Sequence, residues 1–115
     1  MKLKMQVEVM LPTMVTKEIE LPIFLYDKTE RNCLMIKPNE TGSTILPFVT
    51  HEVHTYSDGT KRLWIRHDTE KSFMQLVNQI GEDLHEIKAE DFIHEVKQTI
   101  DQQIEYYNEL LNELE

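Results

Sequence analysis

A chain of 115 residues, about 40% of them apolar and only one a Cys, is sized for one domain (residues 1–115) whose hydrophobic core needs no disulfide. Its 12 Lys and Arg stand against 21 Asp and Glu, and residues 69–115 carry the whole net charge of -9, because residues 1–68 hold as many bases as acids. That balance repels nucleic-acid backbones and anionic lipid, no window approaches the roughly 18 consecutive apolar residues of a membrane helix, and the lone Cys33 fits a reducing, cytoplasmic setting.

At the amino terminus Leu3, Met5, Val7, Val9 and Leu11 alternate with Lys4, Gln6 and Glu8, which predicts a half-buried strand over residues 2–11. Gln6 and Glu8 also interrupt the apolar run that an export signal needs. The alternation returns over residues 17–26, with Ile19, Leu21, Ile23 and Leu25 on one side; Pro22 has no N–H for a ladder and so places this strand at an edge or a bulge. Residues 27–32 read as a hairpin loop, 33–37 as a short strand, 38–44 as a turn and 45–56 as a fourth strand. Asp58-Gly59 predicts a two-residue hairpin turn with positive φ at both positions, leading into a strand over residues 60–67. That turn sets Arg62 opposite Thr55, Trp64 opposite Val53 and Arg66 opposite His51.

The period then changes. Phe73, Leu76, Val77, Ile80, Leu84 and Ile87 share an arc of about 100° on a helical wheel, predicting a helix over residues 69–87 that runs through Gly81 or breaks there. A second helix is predicted over residues 89–114, opened by Glu90 and Asp91 and by an Ile87–Phe92 staple. Its apolar residues Phe92, Ile93, Val96, Ile100, Ile104, Tyr107, Leu110, Leu111 and Leu114 occupy about 120°, at a mean spacing near 3.67 residues that favours packing on a sheet or neighbouring helix over a left-handed coiled coil. The expected fold is α+β: about five mostly antiparallel strands in residues 2–67, followed by two helices packed on the sheet.

Two patterns stand out as binding surfaces. On the last helix Asp101, Glu105, Glu109 and Glu113 form an i, i+4 ladder with no Lys or Arg among them, each like-charge pair costing roughly 0.2–0.5 kcal/mol. Such a face either keeps a small domain in solution or docks a basic protein surface. On the last predicted strand Arg62, Trp64 and Arg66 alternate and share one face. Either the indole lies in the core with Arg stems over its rim, or it is exposed, in which case the weight moves from the acidic helix to this sheet face.

Signals for chemistry are weak. His51, His54 and His67 fall on opposite faces or far apart along a hairpin, His85 and His94 are separated by a helix junction, and no metal site is expected. Ser43, Ser57 and Ser72 lack a nucleophile-elbow setting, and residues 39–44 hold one Gly with no following Lys, unlike a phosphate loop. The expectation is therefore an accessory, adaptor or inhibitor protein that acts by binding without a cofactor, with homo-oligomerisation through an open strand edge or through helix surface such as Tyr106 and Leu110 as the alternative, and a small enzyme as the third reading.

Overall fold

The computed structural model describes residues 1–8 and 14–115. Strands β1 (Lys2–Glu8) and β2 (Met14–Glu20) form an antiparallel pair, with Lys2 opposite Glu20 and Lys4 opposite Glu18. Val9 and Leu11, the predicted end of the first strand, lie outside the described residues. The other five strands, β3 (Ile23–Asp27), β4 (Asn32–Pro38), β5 (Phe48–Thr55), β6 (Lys61–Asp68) and β7 (Leu84–Glu86), build one antiparallel sheet in the order β6-β5-β4-β3-β7. Helices α1 (Glu70–Asn78) and α2 (Ala89–Leu114) complete an α+β fold.

The continuous strand expected over residues 17–26 is divided. Its first part ends as β2 at Glu20 and its second begins β3 in the other sheet at Ile23, because Pro22 offers no N–H to extend either ladder. The side-chain alternation survives the break, and Ile19, Leu21, Ile23 and Leu25 are all buried in one cluster.

That cluster covers one face of the large sheet, where Leu25, Leu34, Ile36 and Phe48 meet Phe73 and Val77 of α1. The rings of Phe48 and Phe73 stack with centroids 4.0 Å apart. Thr69 starts α1 by accepting a hydrogen bond from Ser72 N–H at its hydroxyl. The helix stops at Asn78 instead of running to residue 87. Gly81, at φ +98°, turns the chain back in the left-handed region, its N–H donates to Leu84 C=O, and the next residues pair with β3 as β7. Leu84 still reaches the core, fully buried, but from a strand.

The opposite sheet face carries Cys33 and Val53, covered by Phe92 and Val96 of α2. This helix begins beside β3, where Ile87 N–H donates to Phe24 C=O, and Asp91 accepts from Lys88 N–H across its first turn. It then crosses the sheet to β6, where Glu95 pairs with Lys61, and where Gln102 accepts from Lys61 N–H at 2.9 Å and donates to Gly59 C=O at 3.3 Å. Beyond Gln102 the helix leaves the sheet. A 26-residue helix spans about 39 Å, well over half of the longest molecular dimension of 61 Å.

Candidate functional site

The β5–β6 hairpin decides what the sheet presents at its outer edge. Its loop has three residues, Ser57, Asp58 and Gly59, closed by Tyr56 N–H to Thr60 C=O and Gly59 N–H to Tyr56 C=O. Only Gly59 takes a positive φ (+87°), while the Asp58 carboxylate accepts from Thr60 N–H and from its hydroxyl. One more loop residue than expected shifts the register by one. Arg62 faces His54, Trp64 faces Glu52 and Arg66 faces Thr50, instead of Thr55, Val53 and His51. The slip exchanges each predicted neighbour for one on the opposite sheet face.

Arg62, Trp64 and Arg66 therefore do share a face, the one that carries Thr50 and Glu52, and the indole is 50% exposed. Arg66 is held in place: its Nε donates to Asp68 Oδ1 at 2.8 Å, its Nη1 lies 3.6 Å from Glu52 Oε1, and Asp68 Oδ2 accepts from Thr50 Oγ1 at 2.5 Å. Asp68 and Glu52 are both largely buried, so Arg66 neutralises two carboxylates with little access to water. The His54 ring lies 5.5 Å from the indole, with Nε2 3.8 Å from Glu52 Oε1. Arg62 reaches outward, 6.0 Å from the Tyr56 ring.

On the other face of β6 Leu63 and Ile65 are 38% and 63% exposed, since α2 meets this strand only near Lys61. The strand ends the sheet order. Lys61 N–H points away from β5, toward Gln102, so antiparallel alternation also turns the N–H and C=O groups of Leu63, Ile65 and His67 outward, where no described residue pairs with them. Beside this edge lies an open groove of about 620 Å³, lined by Arg62, Leu63, Trp64, Gln103, Tyr106 and Tyr107. The surface thus combines free backbone hydrogen-bonding groups, cations and apolar side chains.

Asp101, Glu105, Glu109 and Glu113 are all exposed on α2, and among the described residues none of them forms an ion pair. Most of the apolar stripe is exposed as well. Only Phe92 and Thr99 of α2 are buried, whereas Ile100, Ile104, Tyr107, Leu111 and Leu114 are between 43% and 75% exposed. The sheet or a neighbouring helix is the expected cover for that stripe; the sheet covers Phe92 and Val96, and no described helix covers the rest.

No group of three or more His, Cys, Asp or Glu among the described residues is placed to hold a metal ion. Burial, reinforced by the nearby Glu95 carboxylate, pushes the Cys33 thiol up to about 11. No described helix is long and apolar enough to cross a membrane.

Sequence reasoning missed Glu52, His54 and Asp68 as neighbours of the arginines, and Tyr106 and Gln103 as a wall of the groove. A three-residue loop with Gly in its last position was the signal for the first group, because it alone sets Glu52 opposite Trp64. Nothing local signalled the groove, which depends on where α2 crosses β6. No protein-family model matches the chain, and no curated protein or solved structure was found to match it.

Proposed function

We propose that this protein is a small interaction module, an accessory, adaptor or inhibitor protein that acts by binding rather than turnover, with β6 as its principal docking surface. One observation carries this reading: Leu63, Trp64 and Ile65 stand exposed on a strand whose outer edge is open. Such an edge receives an extended segment by strand addition, in which backbone hydrogen bonds give affinity and alternate side chains give selectivity. Lys61 is taken by Glu95 and Arg66 by Glu52 and Asp68, which leaves Arg62 as the β6 cation without a described carboxylate partner. The fitting segment therefore sets an acidic residue beside Arg62 and apolar residues along Leu63 and Ile65, and the groove beside Trp64 accepts one of its apolar side chains. The single free thiol, buried at Cys33, supports a reducing, cytoplasmic setting.

Trp64 is the only Trp, so its emission reports on this surface directly. An eight-residue peptide alternating Glu and Val is the probe. It is expected to shift the indole emission, with an affinity that weakens several-fold as salt rises from about 50 mM to about 300 mM, while the matching Lys–Val peptide gives no shift. An equal response to both peptides, or to neither, ends this reading.

A second surface has its own motive. The exposed, cation-free face of Asp101, Glu105, Glu109 and Glu113 suits a basic protein surface, whose retention falls steeply with added salt. Retention that ignores salt removes that partner class.

A further inference from the structure

Helix α2 has two apolar faces, and the sheet uses one. Phe92, Val96, Thr99 and Gln102 point to the sheet, and Ile93, Ile100, Ile104, Tyr107, Leu111 and Leu114 form a second row about 100° round the helix, at 100° per residue. Every member of the second row is at least 43% exposed. From Ile93 its steps are seven, four, three, four and three residues, with Lys97 at the skipped position. This is a 3.5-residue repeat, the spacing of a helix seam that wraps a second helix, and it emerges once the sheet-facing residues are removed from the stripe.

We infer that a second copy of this chain covers the row from Ile100 to Leu114, the two α2 helices pairing antiparallel about a two-fold axis between Glu105 and Tyr106. In that alignment Ile104 packs on Tyr107 of the second copy and Ile100 on its Leu111, each contact occurring twice, so the layers from Ile100 to Leu111 are apolar throughout. Lys97, the last cation of the chain, then reaches the end of the other helix beside Leu114, where Glu113 and Glu115 lie. The C-terminal acids, which a lone helix carries at the wrong end of its dipole, thereby gain a cation. Parallel pairing instead stacks Lys97 on Lys97 and the acids on one another, so charge selects the antiparallel form. The shape agrees: α2 rests on its own sheet up to Gln102, and antiparallel overlap sends the two sheets to opposite ends. The acidic ladder stays outside the seam, and β6 takes no part in it.

Sedimentation equilibrium of the full chain tests the pairing. The expected mass is about 27 kDa, twice the 13.7 kDa chain, falling toward the single-chain value on dilution. Ile104→Glu with Leu111→Glu changes two side chains that are each 54% exposed in the single chain, and is expected to give 13.7 kDa throughout with unchanged far-UV circular dichroism. A mixture of Ile104→Cys and Tyr107→Cys chains is expected to form the mixed disulfide, with Ile104→Cys alone cross-linking at least tenfold more slowly. A single-chain mass at every concentration overturns the inference, as does a double variant that still dimerises or rapid self-linking of Ile104→Cys. Tyr107 lines both the seam and the groove, but Ile104 and Leu111 do not line the groove, so Glu–Val peptide binding reported by Trp64 is expected to survive Ile104→Glu/Leu111→Glu, and failure of either proposal is seen independently of the other.

Discussion

Replacing Asp68 by Ala tests whether the polar cluster beneath Trp64 is a working part of the fold. The carboxylate is 3% exposed and accepts from Thr50 Oγ1 at 2.5 Å and from Arg66 Nε at 2.8 Å. Its loss leaves the Thr50 hydroxyl, itself fully buried, without a described partner, at a cost of about 1–3 kcal/mol. Arg66 is 44% exposed, so water replaces much of what it loses, and that part costs about 1 kcal/mol or less. Asp68→Ala is therefore expected to destabilise the fold by about 3 kcal/mol, a fall of roughly 10 °C in Tm for a domain of this size. Urea unfolding followed by far-UV circular dichroism measures it, with Trp64 emission as a second probe, since Arg66 moves when its anchor is removed. Adding Thr50→Val takes away the stranded hydroxyl, so the pair should cost less than the sum of the single changes by about 1 kcal/mol. A loss below about 1 kcal/mol for Asp68→Ala, or strict additivity with Thr50→Val, would falsify the view that buried hydrogen bonding fixes this face of β6.

Two further outcomes follow from burial. Phe73→Ala removes a fully buried ring stacked on Phe48 and is expected to cost about 3–5 kcal/mol in the same urea assay; a loss under 2 kcal/mol shows that α1 contributes little to the core. Cys33 should react far more slowly with iodoacetamide in the native protein at pH 8 than in urea, because its thiol is raised to about 11. The linked stability has a definite sign: the fold holds the thiol proton that the unfolded chain releases near pH 9, so stability is full below about pH 9 and falls as pH rises toward 11. Cys33→Ala is expected to flatten that part of the pH profile, and an unchanged profile removes Cys33 as its source.

The cluster has a bearing on binding. Arg66 is bound by two buried carboxylates and Arg62 is not, so the two arginines flanking Trp64 are unequal. Arg66 holds a fixed position beside the indole, while Arg62 is free to follow a partner. If the proposed homodimer forms through α2, β6 of each copy stays outside the seam, and the proposed docking surface is presented twice.

Local sequence determined the elements wherever one period dominated: the alternation of β1, the buried side chains of residues 19–25 on both sides of Pro22, and the span of α2 from Ala89 to Leu114. Periodicity reports which residues share a face, and it does so from neighbours a few positions apart. It does not report what lies against that face. Leu84 fitted the helical stripe and is buried, yet it reaches the core from β7, because Gly81 turned the chain back onto β3. A single added loop residue at Ser57 moved Trp64 from Val53 to Glu52, since strand side chains repeat every two residues and a shift of one exchanges the faces. Only the tertiary structure decided that α2 crosses the sheet obliquely and leaves it after Gln102. A helix of about 39 Å outruns a sheet a few strands wide, so the apolar row on its flank is left exposed.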